Sequence, residues 1–416
     1  MKIAIIGSGI SGLTAGHLLY KHHDITVFEK NNRLGGHTAT KTVNHEGVEY
    51  AIDTGFIVYN DWTYPNFIKL LERLNVKTQA TNMGFSVSDP ESNYEYAGEN
   101  LNTLFCQRSN LLSPRHWRVI RDILRFNKSA VADYKAGTLS AEDTLGNYLA
   151  AGSYSDDFRD FYLLPMGAAI WSSSLGDMLD FPLLFFVRFC HNHGLLSVND
   201  RPTWRVVQGG SASYIAPLTQ GFEGCIRLSS NIKKISRTAR GVEVLINDEV
   251  EVFDNVVFAC HSDEALALLG DASADESALL NQIEYRDNSV ILHTDAKLLP
   301  KRKLAWSSWN YLLGGDKSSP PVLTYSMNIL QGIKAPVEFC VTLNAREKID
   351  SDKILGEYSY AHPVFTQAAI TAQGDWASIN GVNKTWFCGA YWFNGFHEDG
   401  VKSALRVAEH LGGDSL

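Results

Sequence analysis

The fold is decided by the stretch IAIIGSGISGLTAG, residues 3–16. Its apolar start predicts a buried strand, and the glycines that follow it are spaced G-x-G-x-x-G at Gly7, Gly9 and Gly12. The first glycine permits a tight turn, the second lets a phosphate approach the backbone, and the third lets strand and helix pack closely. A helix beginning near Ser11 would offer its free N–H groups to a diphosphate. The stretch therefore predicts a dinucleotide-binding βαβ unit.

One strand later the chain continues VFEKNNRLGGHTAT, residues 27–40. Glu29 ends the second predicted strand, where its carboxylate would accept hydrogen bonds from both ribose hydroxyls of an adenosine. A carboxylate at this place also repels a 2′-phosphate, which argues against NADP. The acidic residue narrows the ligand to a dinucleotide without that phosphate.

Length and composition limit the class of protein. A chain of 416 residues exceeds what one core usually supports, so two domains are expected. A net charge of −9 argues against nucleic acid as a partner, although Lys297–Lys303 forms a local basic run. The six cysteines are scattered without a C-x-x-C pair, which predicts reduced thiols, no metal site and a cytoplasmic location. No stretch approaches the roughly 20 apolar residues of a membrane span. Peripheral contact with the inner membrane stays open as an expectation.

The pattern along the chain predicts an α/β fold with a Rossmann-type nucleotide domain built from separated pieces. These pieces are residues 1–77, 205–270 and 376–416, and the intervening residues 78–204 and 271–375 would form a second, α+β substrate domain that caps the first. Asp61–Leu74 has apolar residues at helical spacing and predicts an amphipathic helix. Glycine-strand-helix units are frequent in the first set of pieces, whereas aromatic residues dominate the second.

Glu29, Arg33 and the pair Gly35-Gly36 resemble, at this spacing, the flavoprotein superfamily that contains monoamine oxidase, phytoene desaturase and protoporphyrinogen oxidase. The resemblance implies non-covalently bound FAD, with Arg33 on the diphosphate, where its planar fork matches phosphate oxygens. It is carried further by Asp53-Thr54-Gly55 and by FNGFHEDGV at 393–401. The resemblance implies these cofactor-binding residues: Gly7, Gly9, Ser11, Gly12, Glu29, Lys30, Arg33, Gly35, Gly36, His37, Thr54, Gly55, Ile232, Gly389, Gly395, Phe396, Glu398, Gly400 and Val401.

The roles implied differ along this set. Backbone near Gly55 and Gly395 would pass close to the flavin ring, and backbone N–H groups from Glu398 to Val401 would face its N1/O2 region. A helix N-terminus there would stabilise negative charge that develops on reduction. Ile232 would hold the adenine through its backbone.

The chain also departs from the amine oxidases. Leu292 or His293 falls where those enzymes place a lysine near flavin N5, Phe396 lacks the hydroxyl of an aromatic that flanks the ring, and His37 replaces a common arginine. The overall pattern resembles more closely the bacterial flavoproteins found beside cyclopropane-fatty-acid-synthase-like methyltransferases. That resemblance implies chemistry on unsaturated or methylated acyl chains. No catalytic acid or base is assigned, although His293, His37 and Tyr59 are candidates.

The function expected is FAD-dependent oxidation, with hydride passing from a lipid-like acyl substrate to flavin N5. The alternatives are a peroxide-producing amine oxidase, a flavin-binding accessory protein for a fatty-acyl methyltransferase, and an isomerase without net redox change. Because no second G-x-G-x-x-G follows a strand, an NAD(P)H domain is not expected and the electron acceptor is open.

Four groups of residues outside the cofactor motifs are considered for other roles. The apolar Phe161–Leu196 reads as a buried core helix, or less well as the wall of an acyl tunnel with a membrane-facing mouth. His191 and His193 would not share a helix face, which argues against a metal pair and favours capping or solvent roles. Trp306, Trp309 and Tyr311 fit a substrate cavity or an aromatic core equally well. Ser172–Ser174 lack a G-x-S-x-G elbow, so a hydrolase is discounted.

Overall fold

The computed structural model describes residues 1–314 and 317–416. Its strands, in chain order, are β1 (Lys2–Ile6), β2 (Asp24–Phe28), β3 (Thr40–His45), β4 (Val48–Asp53), β5 (Val58–Asn60), β6 (Thr78–Ala80), β7 (Phe85–Asp89), β8 (Tyr94–Ala97), β9 (Trp204–Val207), β10 (Ile226–Arg227), β11 (Ile232–Thr238), β12 (Gly241–Ile246), β13 (Glu249–Phe253), β14 (Asn255–Phe258), β15 (Tyr285–His293), β16 (Trp309–Leu312), β17 (Val322–Ser326), β18 (Cys340–Leu343), β19 (Ile354–Pro363) and β20 (Thr385–Phe387). Its α-helices are α1 (Ile10–Leu19), α2 (Pro65–Arg73), α3 (Leu101–Leu104), α4 (Pro114–Ala136), α5 (Leu145–Ala151), α6 (Asp156–Phe158), α7 (Leu164–Trp171), α8 (Leu183–Asn192), α9 (Ile215–Thr219), α10 (Ser262–Leu268), α11 (Ala274–Leu280), α12 (Met327–Gln331), α13 (Gln367–Gly374), α14 (Trp376–Ile379) and α15 (His397–Leu411).

A five-stranded parallel sheet, in the order β10-β2-β1-β14-β20, forms the first layer. Its central strands are continuous apolar runs, and Ile3, Ile5, Val256 and Val257 are fully buried, as expected for a parallel sheet covered on both faces. A Cβ atom added at Gly12 would lie only 2.0 Å from the carbonyl oxygen of Gly7, so α1 packs directly against the turn after β1. The predicted Rossmann-type unit is confirmed.

A seven-stranded mixed sheet, in the order β19-β15-β18-β17-β16-β7-β8, forms the second layer. Neighbouring strands are antiparallel except for β16 and β7, which pair in parallel. The largest apolar cluster joins this sheet to the helices between residues 114 and 192, with Phe126, Phe158 and Phe186 fully buried in it. The chain therefore has the expected α+β second layer.

The two layers are interleaved along the chain. Strands of the parallel sheet come from residues 2–28, 226–258 and 385–387, and those of the seven-stranded sheet from 85–97 and 285–363. A small sheet, β5-β9-β6, lies between them. Because β6 pairs with β9, the boundary expected after residue 77 separates two strands of this small sheet.

The structure shows what the predicted helix at Asp61–Leu74 and the apolar stretch Phe161–Leu196 form. Helix α2 begins at Pro65, a favoured first helical position, and buries Phe67, Leu70 and Leu71, which confirms the amphipathic helix. The stretch Phe161–Leu196 is core: nearly every residue from Phe181 to Cys190 is buried, with Arg188 as the exposed exception. Phe189 and Arg188 of this stretch also line a cavity, so the acyl-tunnel wall and its membrane-facing mouth stay predictions. Among the described residues no helix has the length and apolar character needed to cross a bilayer.

Candidate active site

The N-termini of α1 and α15 meet at the carboxyl edge of the parallel sheet. A Cβ atom added at Gly400, in the first turn of α15, would lie 2.6 Å from Ile10 Cγ2 and 2.9 Å from Ser11 Oγ. Only glycine therefore lets the two first turns approach so closely. Each N-terminus carries a partial positive charge and N–H groups without intrahelical partners, so the pair forms a natural site for an anion.

Glycines leave open space beside this pair of helix ends. Gly7 and Gly35 have φ of 105° and 104°, which side-chain-bearing residues rarely adopt. Nothing lies within 4 Å of a Cβ atom added at Gly9, whereas one added at Gly36 would lie 3.2 Å from Gly9 Cα. The loop around Gly36 thus crosses over the glycine turn and encloses a cradle that side chains would fill. The cradle fits a diphosphate, as the sequence predicts.

Glu29 lies at the end of this cradle, and its carboxylate is buried. One oxygen accepts from the Ser8 N–H and hydroxyl, at 3.0 and 2.6 Å, and the other from the backbone and side-chain amides of Asn31, both at 2.8 Å. Ribose hydroxyls would therefore bind Glu29 by replacing the Ser8 hydroxyl or the Asn31 side chain. Ser230 donates its N–H to Glu29 O at 2.8 Å, which brings the start of β11, and with it Ile232, to the same end of the site.

The two basic residues of this segment have different partners. Arg33 donates to the carbonyl of Gly36 at 2.8 Å and to those of Leu34 and Thr38 at 3.3 Å, so it holds the glycine loop in shape. Lys30 instead forms an ion pair with Glu264 on α10. The expected contact of Arg33 with the diphosphate stays a prediction, because its guanidinium is engaged with the loop.

The segment Asp53-Thr54-Gly55 crosses the glycine loop. A Cβ atom added at Gly55 would lie 2.1 Å from the carbonyl oxygen of His37, so only glycine fits there. The buried carboxylate of Asp53 accepts from the Thr40 hydroxyl at 2.6 Å and from the Ser211 N–H at 2.8 Å, and burial raises its pKa to about 6. Thr54 shares a 2.9 Å hydrogen bond with the Tyr360 hydroxyl. These bonds fix the backbone expected to pass beside the flavin ring.

The C-terminal motif is held by its own acidic side chains. Glu398 accepts the backbone N–H of Phe67 at 2.8 Å and that of Asn66 at 3.0 Å, so it caps the N-terminus of α2. Asp399 accepts the Phe396 N–H at 2.9 Å and caps α15, and burial raises its pKa to about 7.

The glycines and the valine of this motif allow close packing. Gly395 has a φ of 92°, and a Cβ atom there would lie 3.0 Å from the Phe365 ring. Gly389 donates its N–H to Ser403 at 3.0 Å, and Val401 is fully buried. The backbone of the motif is thereby packed into one fixed conformation.

Three histidines from distant parts of the chain meet at this site. The ring of His37 lies 5.6 Å from that of His362 and 5.8 Å from that of His261, which in turn stacks on Tyr285 at 4.3 Å. Burial lowers the pKa of His37 well below its usual value and that of His362 to about 4, and the neighbouring imidazoles add to both shifts. The cluster is therefore neutral at pH 7.

The surroundings of His362 add polar partners to this histidine cluster. Its Nδ1 lies 3.0 Å from the Ser172 hydroxyl, and Ser172 has a left-handed φ of 52°. Backbone strain of this kind is often found at functional sites. The Asn288 side-chain amide lies 3.4 Å from the same nitrogen. Only His37 was a candidate from the sequence, because separations of more than 100 residues give no local signal.

His397, the first residue of α15, contacts Thr38 of the glycine loop. Its ring stacks on Phe56 at 3.5 Å, and its Nε2 lies 3.0 Å from Thr38 Oγ1 and 3.2 Å from the Tyr214 hydroxyl. Burial lowers the pKa of His397 to about 3. This imidazole is therefore a neutral hydrogen-bonding group that joins the glycine loop to the C-terminal motif.

A cavity of about 770 Å³ opens beside the C-terminal motif. Phe189 stacks on Phe396 at 5.1 Å and on His193 at 3.8 Å, and all three side chains line this cavity. His193 caps the C-terminus of α8, with its backbone N–H and its Nδ1 at 3.0 and 2.9 Å from Phe189 O, so the capping role expected for it is confirmed. Burial lowers the pKa of His193 to about 4. His191 faces Tyr134 instead, at 5.5 Å, which agrees with the two histidines lying on different faces.

Several residues suggested by the sequence lie outside this arrangement. His293 contacts Thr342 Oγ1 at 2.7 Å and ends β15, about 27 Å along the strand from Tyr285. The residue of β15 at the histidine cluster is therefore Asn288, whose side-chain amide lies 3.4 Å from His362 Nδ1, and the placement of Leu292 or His293 near flavin N5 stays a prediction.

The aromatic residues that the sequence suggested as site candidates contribute to the packing of the protein instead. Tyr59 is buried against Phe67, with ring centroids 5.3 Å apart. Trp306 donates to Pro300 O at 2.8 Å, Trp309 lies 5.2 Å from Tyr325, and Tyr311 is buried in the core of the seven-stranded sheet. Within residues 1–314 and 317–416, no group of three histidine, cysteine or acidic side chains is placed to hold a metal.

Comparison with known proteins agrees with this geometry. The pattern of the family described as flavin containing amine oxidoreductase matches residues 10–327. The flavin-containing amine oxidase A of Canis lupus familiaris is 38% identical over 82 residues, which cover 20% of this chain and 15% of that relative. The 4,4'-diapophytoene desaturase of Staphylococcus aureus is 51% identical over 37 residues, 9% of this chain and 7% of that relative. These curated relatives are thus matched over a small part of their length.

A solved structure shares the fold over nearly its whole length. The CLA-producing fatty acid isomerase from P. acnes superposes with a TM-score of 0.69 at 16% identity, covering 99% of this chain and 97% of that one. The match to the family covers most of the chain, so this protein belongs to the flavin-containing amine oxidoreductase family. It is an FAD-dependent oxidoreductase.

Proposed function

We propose that this enzyme removes hydride from a C–H bond of a lipid-like acyl chain, unsaturated or methylated. The observation that carries the proposal is the stacked aromatic wall of the cavity, formed by Phe189 and Phe396. Phe365, which packs against Gly395, stacks on Phe185 at 5.1 Å in the adjoining core. An aromatic wall of this kind can bury part of an acyl chain, while the polar side chains on the rest of the cavity would fix its orientation.

The residues of the chain have separate tasks in this reaction. The bound FAD supplies the hydride acceptor, and the protein supplies orientation and the exclusion of water. His193 on the cavity wall is neutral at pH 7, so an apolar chain enters without the cost of desolvating a charged imidazole there. Among the polar groups on the cavity wall, Arg188 and Lys402 are exposed cations that would pair with the acid or phosphate end of the substrate.

The relatives support this choice of substrate class. One structure with the same fold is a fatty acid isomerase, and one curated relative is a diapophytoene desaturase. A second candidate function is amine oxidation, because Glu398 and Asp399 place two carboxyl groups on the same cavity and one relative is an amine oxidase. In the first case the aromatic wall binds the substrate, whereas in the second the carboxyl groups do.

Anaerobic titration of the purified flavoprotein tests the proposal. Phospholipids with unsaturated or methylated acyl chains should bleach the visible flavin band, whereas a primary alkylamine such as hexylamine should not. Phe189→Ala should weaken the response to lipid, and Phe85→Ala on the second sheet is the matched control. Bleaching by the amine alone would replace the proposal with amine oxidation. Rearranged lipid without lasting bleaching would identify an isomerase, and a flavin band unaffected by any substrate would favour the accessory role beside a methyltransferase.

A further inference from the structure

A group of large apolar side chains is exposed on the second layer, far along the chain from the cofactor motifs. Leu101 on α3 is 75% exposed, and Leu112, just before α4, is 89% exposed. Leu111, Trp117 and Leu124 are each about half exposed. Single exposed leucines are ordinary, but five large apolar side chains within 24 residues call for a partner.

These side chains form one continuous surface, here called the 101–128 surface. The Trp117 indole donates to Leu111 O at 2.9 Å, and its ring lies 5.5 Å from Phe105, which ends α3. On α4, residues 117, 121, 124 and 128 follow one another at helical spacing on the exposed face. Trp117, Arg121, Leu124 and Lys128 therefore form one stripe that continues from the exposed leucines.

The 101–128 surface is positively charged in an acidic protein. Residues 101–128 contain six arginine and lysine residues and one acidic residue, Asp122, whereas the whole chain has a net charge of −9. Asp122 is buried beneath the surface, where Arg121 and Arg125 approach it at 3.3 and 3.4 Å. Asp157 pairs with Arg115 and Arg118 at 3.3 and 2.6 Å, so an excess of four cations remains after both carboxylates are counted.

A second basic segment adjoins this surface. The 3-10 helix Lys303–Ala305 contacts α3, and Leu304 on it is also exposed. It belongs to the basic run Lys297–Lys303 noted in the sequence. The cations thus surround the exposed leucines on more than one side, rather than lying on α4 alone.

We propose that the 101–128 surface docks this enzyme on an anionic phospholipid bilayer. Leucines can enter the acyl boundary, tryptophan favours the interface, and arginine and lysine pair with lipid phosphates. A second copy of the chain fits poorly, because a two-fold contact would bring two surfaces of equal positive charge together. The surface is distinct from Phe161–Leu196, whose apolar side chains are buried.

Flotation of the FAD-loaded protein with vesicles tests the proposal. It should float with phosphatidylcholine vesicles that contain phosphatidylglycerol, should bind those of pure phosphatidylcholine weakly, and should be released by salt. The double variant Arg121→Gln with Lys128→Gln should bind the anionic vesicles roughly thirtyfold more weakly. Lys334→Gln with Lys348→Gln, which removes two exposed cations elsewhere, is the matched control and should bind as the parent does.

The apolar part of the surface has its own variants. Leu101→Ser with Leu112→Ser should lower vesicle binding, whereas Leu228→Ser with Leu355→Ser, at exposed leucines elsewhere, should leave it unchanged. Equal binding to neutral and anionic vesicles, or no binding to either, would overturn the proposal. So would a change of oligomeric state in the leucine variants without any change in flotation. Binding is measured without turnover, so it can succeed where lipid oxidation fails.

Discussion

Replacing Gly9 with alanine should weaken FAD binding while leaving the stability of the apoprotein nearly unchanged. Gly9 has φ −67° and ψ −179°, which alanine adopts without strain, and nothing lies within 4 Å of the added Cβ atom. Alanine is a poorer N-cap than glycine, but it also lowers the entropy of the unfolded chain. These effects oppose each other, so the apoprotein should change in stability by no more than about 1 kcal/mol.

The same Cβ atom should impair FAD binding. It would stand in the cradle enclosed by Gly36, where the diphosphate approaches the α1 N-terminus. Losing one hydrogen bond to a charged group costs about 1.5–3 kcal/mol, which is roughly tenfold to a hundredfold in affinity. FAD titration of the apoprotein by calorimetry measures the affinity, and urea unfolding of the same preparation measures the stability.

Two other glycine variants serve as a control and a contrast for Gly9→Ala. Gly224→Ala also adds a Cβ atom with no neighbour within 4 Å, but outside the site, and should change neither quantity. Gly12→Ala should unfold the turn, because its Cβ atom would lie 2.0 Å from Gly7 O. If Gly9→Ala binds FAD as tightly as the parent, the diphosphate lies elsewhere. If its apoprotein is strongly destabilised, the space beside Gly9 is not as described.

Three further predictions concern the loop, the helix cap and the histidines. Arg33→Ala should release FAD on gel filtration, since three carbonyl contacts of the glycine loop are lost, and retention of stoichiometric flavin would contradict this role. Glu398→Ala should lower the free energy of unfolding by about 1–2 kcal/mol, because α2 loses its cap; an unchanged urea midpoint would argue against it. His193 has a folded pKa of about 4, below its unfolded value, so the unfolded chain takes up its proton first on acidification and stability falls between about pH 6.5 and pH 4. Because Asp53 and Asp399, with raised pKa values, act in the opposite direction, the test compares the parent with His193→Gln: the parent should lose about 1.4 kcal/mol per pH unit relative to the variant, and parallel pH profiles would refute the shift.

Local patterns in the sequence predicted the parts of the site that lie close together in the chain. The glycine turn, Glu29 and the loop at Gly35-Gly36 were predictable because each needs a particular residue type within a few positions. The helix over Asp61–Leu74 was predictable in its centre from apolar spacing, although its start depends on Pro65 and on the cap from Glu398. These features are fixed by backbone geometry, which short stretches of sequence encode.

Long-range contacts were not predictable in the same way. His261, His362 and Asn288 lie near His37 because the end of β14 and the strands β15 and β19 come together there. The periodicity of residues along the sequence gives no information about contacts between such distant strands. The capping role of His193 was predictable from its place at the end of a helix, but its position on the cavity wall beside Phe189 and Phe396 was not. The exposed leucines of 101–128 were missed because an apolar residue is normally assigned to the core and no pattern in this segment marks an exposed face.

The interleaving of the two layers has a consequence for biosynthesis. β1 is synthesised well before its partner β14, and β14 pairs in turn with β20, so the sheet joins Ile6 to Phe387 across most of the chain. Parallel strands that await distant partners are slow to pair and prone to aggregate. The helix end of α15 is also made after every other wall of the cradle. FAD would therefore find a complete cradle only after α15 has been made, when nearly all of the fold is available to close around it.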